Sequence, residues 1–127
     1  MSRAVADTSV FIAQETGREL GKLPAQIAVS VVTAAELELG VLRASEPSAR
    51  AIRLSTLARV QAAYPLLPVD PEVASCFARI ASAELSRGRR LRLHDTWIAA
   101  TALRYNAAVL TQDADFSAFD DLTVIHV

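Results

Sequence analysis

The stretch LHDTWIAATA, residues 93–102, decides the fold when it is taken together with VLTQDADF, residues 109–116. The first stretch has the composition of an apolar helix, and Asp95 lies on its inward face by three- and four-residue spacing. The second is a short apolar strand followed by Asp113 and Asp115. A carboxylate buried at the end of an apolar element is costly unless it has a partner. The two stretches therefore predict a site at which several acids share a positive partner.

Two further acids, Asp7 and Glu36, lie in similarly apolar surroundings far upstream. Glu36 shares a helical face with Val32, Leu39 and Gly40, so we expect it on the inward side of its helix. Like charges about 4 Å apart repel by roughly 1 kcal/mol in water and about 4 kcal/mol at an effective dielectric constant of 20. Such a group either takes up protons or binds a divalent cation. Ligands that are all oxygen favour Mg²⁺ or Mn²⁺ over Zn²⁺. We therefore expect one cation, shared by the acids and able to activate water for attack on a phosphodiester.

Each acid also has a plainer interpretation. Asp7 is suited to cap a helix, and Glu36 to lie on a solvated helix surface. Asp95 would cap a helix that begins at Thr96, and Asp113 with Asp115 would form an ordinary turn. The coincidence of four such acids in one chain is what favours a shared site, and Asp120 and Asp121 are interpreted as loop residues.

Strand-like and helix-like segments alternate from end to end, which is typical of a parallel sheet covered by helices on both faces. The expected fold is a three-layer α/β domain that spans residues 1–127. In such sheets ligands bind beyond the carboxyl ends of the strands, where Asp7 and Asp113 are expected. The predicted strands are residues 3–7, 26–30, 64–69, 107–111 and 122–125, and the predicted helices are residues 10–15, 31–44, 48–63, 71–87 and 93–106.

Composition narrows the class of protein. The chain has 127 residues, 52% of them hydrophobic and 21% charged, with a net charge of −1, which is typical of one globular domain. No apolar run is long enough to span a membrane, and no signal peptide is expected at the N-terminus. The single cysteine, Cys76, excludes an internal disulfide, is expected in the core and fits a cytoplasmic location.

Among the 13 basic residues Lys22 is the only lysine. Arginine suits phosphate recognition because its planar fork donates two parallel hydrogen bonds, although coding bias of the host genome explains the same composition. Four arginines directly precede the helix that carries Asp95, and they are either RNA-binding or part of a solvated loop. They are Arg87, Arg89, Arg90 and Arg92.

Four segments together resemble the signature blocks of PIN-domain nucleases, above all the VapC-like toxins of type II toxin–antitoxin modules. They are VADTS at 5–9, SVVTAAELELG at 30–40, DTWIAATA at 95–102 and LTQDADF at 110–116. The resemblance covers nearly the whole chain in order. It implies a parallel sheet in the order 3-2-1-4-5 and a metal-dependent endoribonuclease. It also implies a cognate antitoxin that occupies the active-site groove, and a homodimer.

Carried over residue by residue, the resemblance assigns the acids and their support. The family's catalytic and metal-binding quartet falls on Asp7, Glu36, Asp95 and Asp113. Asp115 falls on a position that is often acidic and is a possible further ligand. Thr8 and Thr111 are the expected supporting residues, with the Thr111 hydroxyl beside the last acid.

The sequence also supports predictions for other residues and for alternative functions. Trp97 is expected in a core or dimer contact, His94 is expected to point away from the acids, and Arg104 is expected to pair with an acid. The helices at 31–44 and 48–63 are more apolar than one buried face needs, so we expect them to bind a partner helix. A receiver-type domain is disfavoured because its paired acid and second-half lysine are missing. The remaining alternative is a catalytically silent module of the same fold that binds RNA or protein.

Overall fold

A computed structural model describes residues 3–127. The strands are β1 (Arg3–Ala6), β2 (Gln26–Ser30), β3 (Leu66–Leu67), β4 (Ala108–Thr111) and β5 (Val124–His126). The helices are α1 (Thr8–Glu15), α2 (Val31–Arg43), α3 (Pro47–Ala63), α4 (Pro71–Ser86) and α5 (Leu93–Arg104), with a 3₁₀ helix, η1 (Ala114–Ala118), before β5. The order of strands and helices is the predicted one, including the direct succession of α2 and α3 and of α4 and α5, and η1 is the one element that the sequence pattern did not predict within residues 3–127.

The strands form one parallel sheet in the order β3-β2-β1-β4-β5. Val5 of β1 pairs with Ala28 of β2 on one side and with Val109 of β4 on the other. The chain therefore builds outward from β1 in one direction and then crosses to β4 on its other side. The predicted strand order is confirmed, and the switch between β1 and β4 is the point where such sheets bind ligands.

Successive side chains of the central strands point to opposite faces of the sheet. Ala4 and Ala6 of β1 pack into a core shared with α1, α2 and α3, whereas Val5 packs into a second core with α5 and η1. Strand β4 does the same, with Leu110 in the first core and Val109 in the second. Helix α4 lies against α5, and its Ile80 packs against the second core. The three-layer arrangement follows from strands that are apolar on both sides.

Cys76 is buried in the packing between α4 and α5, as expected of a small core side chain. In the same contact Phe77 stacks on Trp97 with ring centroids 3.8 Å apart. Arg104 pairs with Glu72, so the expectation that it meets an acid is confirmed.

Several boundaries differ from the predicted ones for local reasons. Helix α1 begins at Thr8 because the Asp7 side chain caps it by accepting from the Ser9 N–H. The edge strand predicted at 64–69 is reduced to β3, since the prolines that flank it lack an N–H. Helix α5 ends at Arg104, two residues early, where Asn106 turns the chain with a φ of 52°.

Strand β5 covers 124–126 rather than 122–125, after Asp121 has turned the chain with a φ of 57°. Gly88 follows α4 with a φ of 69°, the C-terminal cap geometry that the sequence predicts for it. Within residues 3–127, every helix is too short or too polar to cross a lipid bilayer.

Candidate active site

The acids of the site are brought to the carboxyl edge of the sheet by its central strands. Asp7 directly follows β1, and Asp113 lies two residues beyond β4, the neighbouring strand. The Asp7 N–H donates to the Leu110 carbonyl at 2.8 Å, which extends the pairing of the two strands into the site. The Asp7 residue is 6% exposed. Adjacent parallel strands therefore place these two acids side by side.

A hydroxyl network joins Asp7 to the turn that carries Asp113. The Thr111 hydroxyl donates to Asp7 Oδ2 at 3.0 Å and accepts from the Asp113 N–H at 2.8 Å. The Ser9 hydroxyl donates to the same Asp7 oxygen at 2.8 Å and accepts from the Gln112 N–H at 2.9 Å. Each hydroxyl thus donates to the Asp7 carboxylate while it accepts from the backbone beyond β4. This arrangement fixes the distance between the two strand ends.

Glu36 enters the site from α2, and its side chain is 26% exposed. The Thr8 hydroxyl donates to Glu36 Oε1 at 2.7 Å. On its helix Glu36 lies beside the buried stripe rather than within it. Leu39, which the spacing places on the same face, is 54% exposed, whereas the core-facing Leu37 is buried. The prediction that Glu36 is on the inward side is therefore only half right.

His94 does not point away from the acids, so that prediction is wrong. Its Nδ1 lies 3.1 Å from Glu36 Oε2, across the gap between α5 and α2. The helical face of Asp95 was inferred correctly, but the position of α2 relative to α5 was not available from periodicity. Such a contact depends on how two helices pack, which a single helix pattern does not encode.

Asp95 lies in the first turn of α5, where the positive end of the helix dipole favours a carboxylate. Helix α5 begins at Leu93, so the interpretation of Asp95 as the cap of a helix that begins at Thr96 is wrong. Burial, the largest cause, and the neighbouring carboxylates together raise the pKa of Asp95 to about 6, against the opposing effect of Arg92. In order of effect these carboxylates are Asp7, Asp113 and Glu36.

Asp113 caps η1, and its Oδ1 accepts from the Asp115 N–H at 2.8 Å. The plainer interpretation of these residues as turn formers is therefore also correct. The Asp115 side chain is 67% exposed and lies at the rim, with Oδ2 3.5 Å from Arg92 Nη1. Asp113 serves both the turn and the site because a cap uses one carboxylate oxygen and leaves the other.

The four acids share one electrostatic neighbourhood but do not close on a single point. Within residues 3–127, no three Asp, Glu, His or Cys side chains are arranged to hold a metal ion as they stand. Each carboxylate is instead held by hydrogen-bond donors of the chain. The donor set fits Mg²⁺ or Mn²⁺ in its chemistry, because it offers only carboxylate oxygens and a concentration of negative charge that raises the Asp95 pKa.

Three of the four arginines considered for RNA binding contact acids of the chain. Arg87 pairs with Asp120. Arg89 Nη1 lies 3.1 Å from Glu84 Oε2, and it also donates to the Ala118 carbonyl at 2.9 Å. The buried Glu84 was not singled out from sequence, because one acid in an amphipathic helix carries no distinguishing signal.

Arg92 contacts Asp95, and Arg90 lies beside it along an open groove of about 650 Å³. The groove runs past the acids of α2 and α5. Its lining consists of Glu36, Arg90, Leu91, Arg92, Leu93, His94 and Asp95.

Comparison with known proteins agrees with this geometry. The PIN domain family model matches residues 4–122. Ribonuclease VapC5 of Mycobacterium tuberculosis is 46% identical over 125 residues, which cover 97% of this chain and 92% of that protein. Ribonuclease VapC4 of the same organism is 44% identical over 134 residues, covering 98% of this chain and 97% of that protein.

A solved structure has the same fold over its full length. It is the crystal structure of VapBC-5, a member of the VapBC family of toxin–antitoxin systems from Mycobacterium tuberculosis. The matched chain is 43% identical, with a TM-score of 0.90 and complete coverage of both chains. With this sheet order, this acid cluster and these relatives, the chain belongs to the PIN-domain family, among the VapC ribonucleases.

Proposed function

We propose that this protein is an endoribonuclease toxin that uses Mg²⁺ or Mn²⁺ and is restrained by a cognate antitoxin. The observation that carries the proposal is the gathering of four carboxylates, from two strand ends and two helices, where burial and then the neighbouring carboxylates raise the Asp95 pKa to about 6. Charge repulsion of this kind opposes folding, so its presence favours a functional role. The relatives named VapC ribonucleases support RNA as the substrate class.

In this proposal Asp7, Glu36, Asp95 and Asp113 hold the cation, and Asp115 at the rim is a possible further ligand. A divalent cation bound there would supply an activated water and neutralise charge on the scissile phosphate. The chain's own contribution is to hold the carboxylates. Thr111 and Ser9 orient Asp7, and Thr8 orients Glu36, through the hydrogen bonds described above.

RNA would lie along the groove beside the acids. Arg90 lines this groove and has no hydrogen-bond or salt-bridge partner within residues 3–127, so its guanidinium is available to a phosphate. Arg87 and Arg89 are paired with Asp120 and Glu84, which favours a structural role for them over phosphate binding. We therefore assign contact with the RNA phosphates chiefly to Arg90, and we expect RNA binding to weaken strongly as the salt concentration rises.

The antitoxin would bind across α2 and α3. Four large apolar side chains on these helices are at least half exposed, which supports an apolar partner surface. The solved VapBC-5 structure is described as a member of the VapBC family of toxin–antitoxin systems, which supports the same class of partner here. Homodimerisation belongs to the same proposal. The exposed residues are Leu39, Leu42, Ile52 and Leu54.

The test is cleavage of structured RNA by the full-length chain with Mn²⁺, with EDTA, and with the variant D7N. We expect products only with Mn²⁺, and a loss of at least about a hundredfold in D7N, since a lost ligand removes the charge that holds the cation. D121N is the matched control. It makes the same acid-to-amide change at a positive-φ position that asparagine tolerates, in the loop after η1.

Cleavage by D7N at the wild-type rate, or cleavage in EDTA, would contradict the proposal. Binding of RNA without any product would favour the catalytically silent module instead. Loss of activity in D121N would show that the assay reports loop structure rather than the acid cluster.

A further inference from the structure

Arg92 has a position unlike that of the other arginines. It is the N-terminal cap residue of α5, and its guanidinium bridges the two elements that bring acids from the second half of the chain. Nη1 lies 3.1 Å from Asp95 Oδ2 and 3.5 Å from Asp115 Oδ2. Nη2 donates to the Asp115 carbonyl at 3.0 Å. Arg92 therefore ties the start of α5 to the turn after β4.

Packing fixes the guanidinium in this place. Its Cζ lies 4.9 Å from the centre of the Phe119 ring, a cation–π contact, and Phe119 is buried in the core beneath η1. The Arg92 side chain is 29% exposed. A side chain held from three directions keeps its charge beside the acids instead of swinging into solvent.

Among the arginines and the lysine of residues 3–127, Arg92 alone forms a salt bridge with an acid of the site. Arg87 and Arg89 use acids that lie outside the site, Asp120 and Glu84. The negative charge of the acid cluster is therefore balanced within the chain by one fixed arginine charge, together with His94 when it is protonated.

We propose that Arg92 is a tethered counter-ion of the acid cluster, which shares Asp95 and Asp115 with the divalent cation and sets how tightly that cation binds. This inference rests on the proposed function, because it assumes that the cluster binds a divalent cation. Arg92 is a positioning residue with an electrostatic cost. It holds α5 and η1 together, and its positive charge weakens the attraction of the same carboxylates for a second cation.

The sign of the effect follows from Coulomb's law. A unit charge a few ångströms from a carboxylate interacts with it appreciably even in bulk water, and the repulsion of a divalent ion is twice that of a monovalent one. Removing the Arg92 charge should therefore tighten cation binding, although the positioning of Asp95 becomes looser. A residue that only positioned the ligands would show the opposite result, weaker binding after its removal.

The experiment is calorimetric titration of the full-length protein with MnCl₂ in the absence of RNA. The variant R92Q removes the positive charge, and R92K keeps the charge but lacks the planar guanidinium with its paired N–H donors. R90Q is the matched control from the same loop. We expect R92Q to bind Mn²⁺ about tenfold more tightly than wild type, and R90Q to change by less than about twofold because an exposed charge without a partner is screened. R92K should stay close to wild type.

Unchanged or weaker Mn²⁺ binding in R92Q would overturn the inference, as would an equal gain in R90Q. If wild type itself binds no Mn²⁺, the proposed function fails and this inference fails with it. If wild type binds and R92Q does not gain, only the role of Arg92 is lost. Should R92Q not fold, R92K decides between the two roles, since binding at least about tenfold weaker than wild type would indicate positioning without an electrostatic cost.

Discussion

The acid cluster at the carboxyl edge of the sheet and the junction between α4, α5 and η1 use charge in opposite ways. At the junction, Glu84 has Arg89 and Asp120 has Arg87. In the cluster, four carboxylates gather from separate elements, and within residues 3–127 only Asp95 among them forms a salt bridge with an arginine, Arg92. The two regions are neighbours, joined by the loop that follows α4.

The difference teaches where the chain accepts an unfavourable arrangement. The junction satisfies each of its acids, so its ion pairs are explained by the fold alone. The cluster raises the pKa of Asp95 through burial and like charge, so it destabilises the folded protein at neutral pH. Arrangements of this kind concentrate at functional sites, where stability is exchanged for activity.

The largest expected effect separates the two regions by activity. D95N should reduce RNA cleavage by at least about a hundredfold, because the amide removes a full negative charge from the cation site. E84Q, the corresponding acid-to-amide change at the junction, should retain most of the activity. Initial rates of RNA cleavage at saturating Mn²⁺ measure both. Equal losses in the two variants would remove the distinction between the regions.

The second largest effect is expected on the stability of the protein when the ion pair of the junction is broken. R89A should lower the free energy of unfolding by about 2–3 kcal/mol, because it leaves the buried Glu84 carboxylate without its partner. The Glu84 side chain is 7% exposed, whereas that of Arg89 is 45% exposed. E84Q should therefore cost less than about 1 kcal/mol, since water solvates Arg89 when its partner is neutral. Urea unfolding gives both values, and a larger cost for E84Q would contradict this assignment.

A smaller effect is expected on the pH dependence of stability, which reports on the acid cluster. Asp95 loses its proton near its ordinary value of 3.8 when unfolded but only near 6 when folded. The folded state thus binds more protons between these values, so stability falls as pH rises from about 4 to about 6. Without divalent cations we expect a loss of about 1–2 kcal/mol over this range, allowing for partial exposure. Urea unfolding measured against pH should lack this fall in D95N and lose most of it with saturating Mn²⁺.

The smallest effect is expected at the rim of the junction. Arg87 and Asp120 both lie in the open, with side chains 42% and 55% exposed. An exposed ion pair is screened by water and salt, so R87A should leave the midpoint of urea unfolding without a measurable change. A clear shift in that midpoint would mean that the pair has a structural role like that of Glu84 and Arg89.

Much of this could be predicted from residue order alone. The alternation of strand-like and helix-like apolar segments indicated a sheet covered by helices, and acids at the ends of those segments indicated the site. The prediction that Asp95 faces inward beside Ile98 and Ala99 is half right, because both apolar residues are buried while the Asp95 side chain is 23% exposed. The strand order came from the resemblance to PIN-domain nucleases, and the structure confirms it.

The errors fall where two elements meet. The sequence predicts that His94 points away from the acids, and it groups Arg92 with three arginines that form no salt bridge with the acids of the site within residues 3–127. Both contacts depend on the angle at which α5 approaches its neighbours. Periodicity defines a face of one helix, but it contains no information on what another element brings to that face.

By itself the sequence determined which residues are inside, which elements form, and that acids accumulate at their ends, because these follow from local periodicity and the cost of burying charge. Only the tertiary structure decided how the acids are held and which basic side chain contacts them. Hydroxyls from Ser9 and Thr111 reach Asp7 across a strand pairing, and Arg92 reaches Asp115 across 23 residues. Contacts between distant segments depend on packing geometry, and packing geometry is a property of the whole fold.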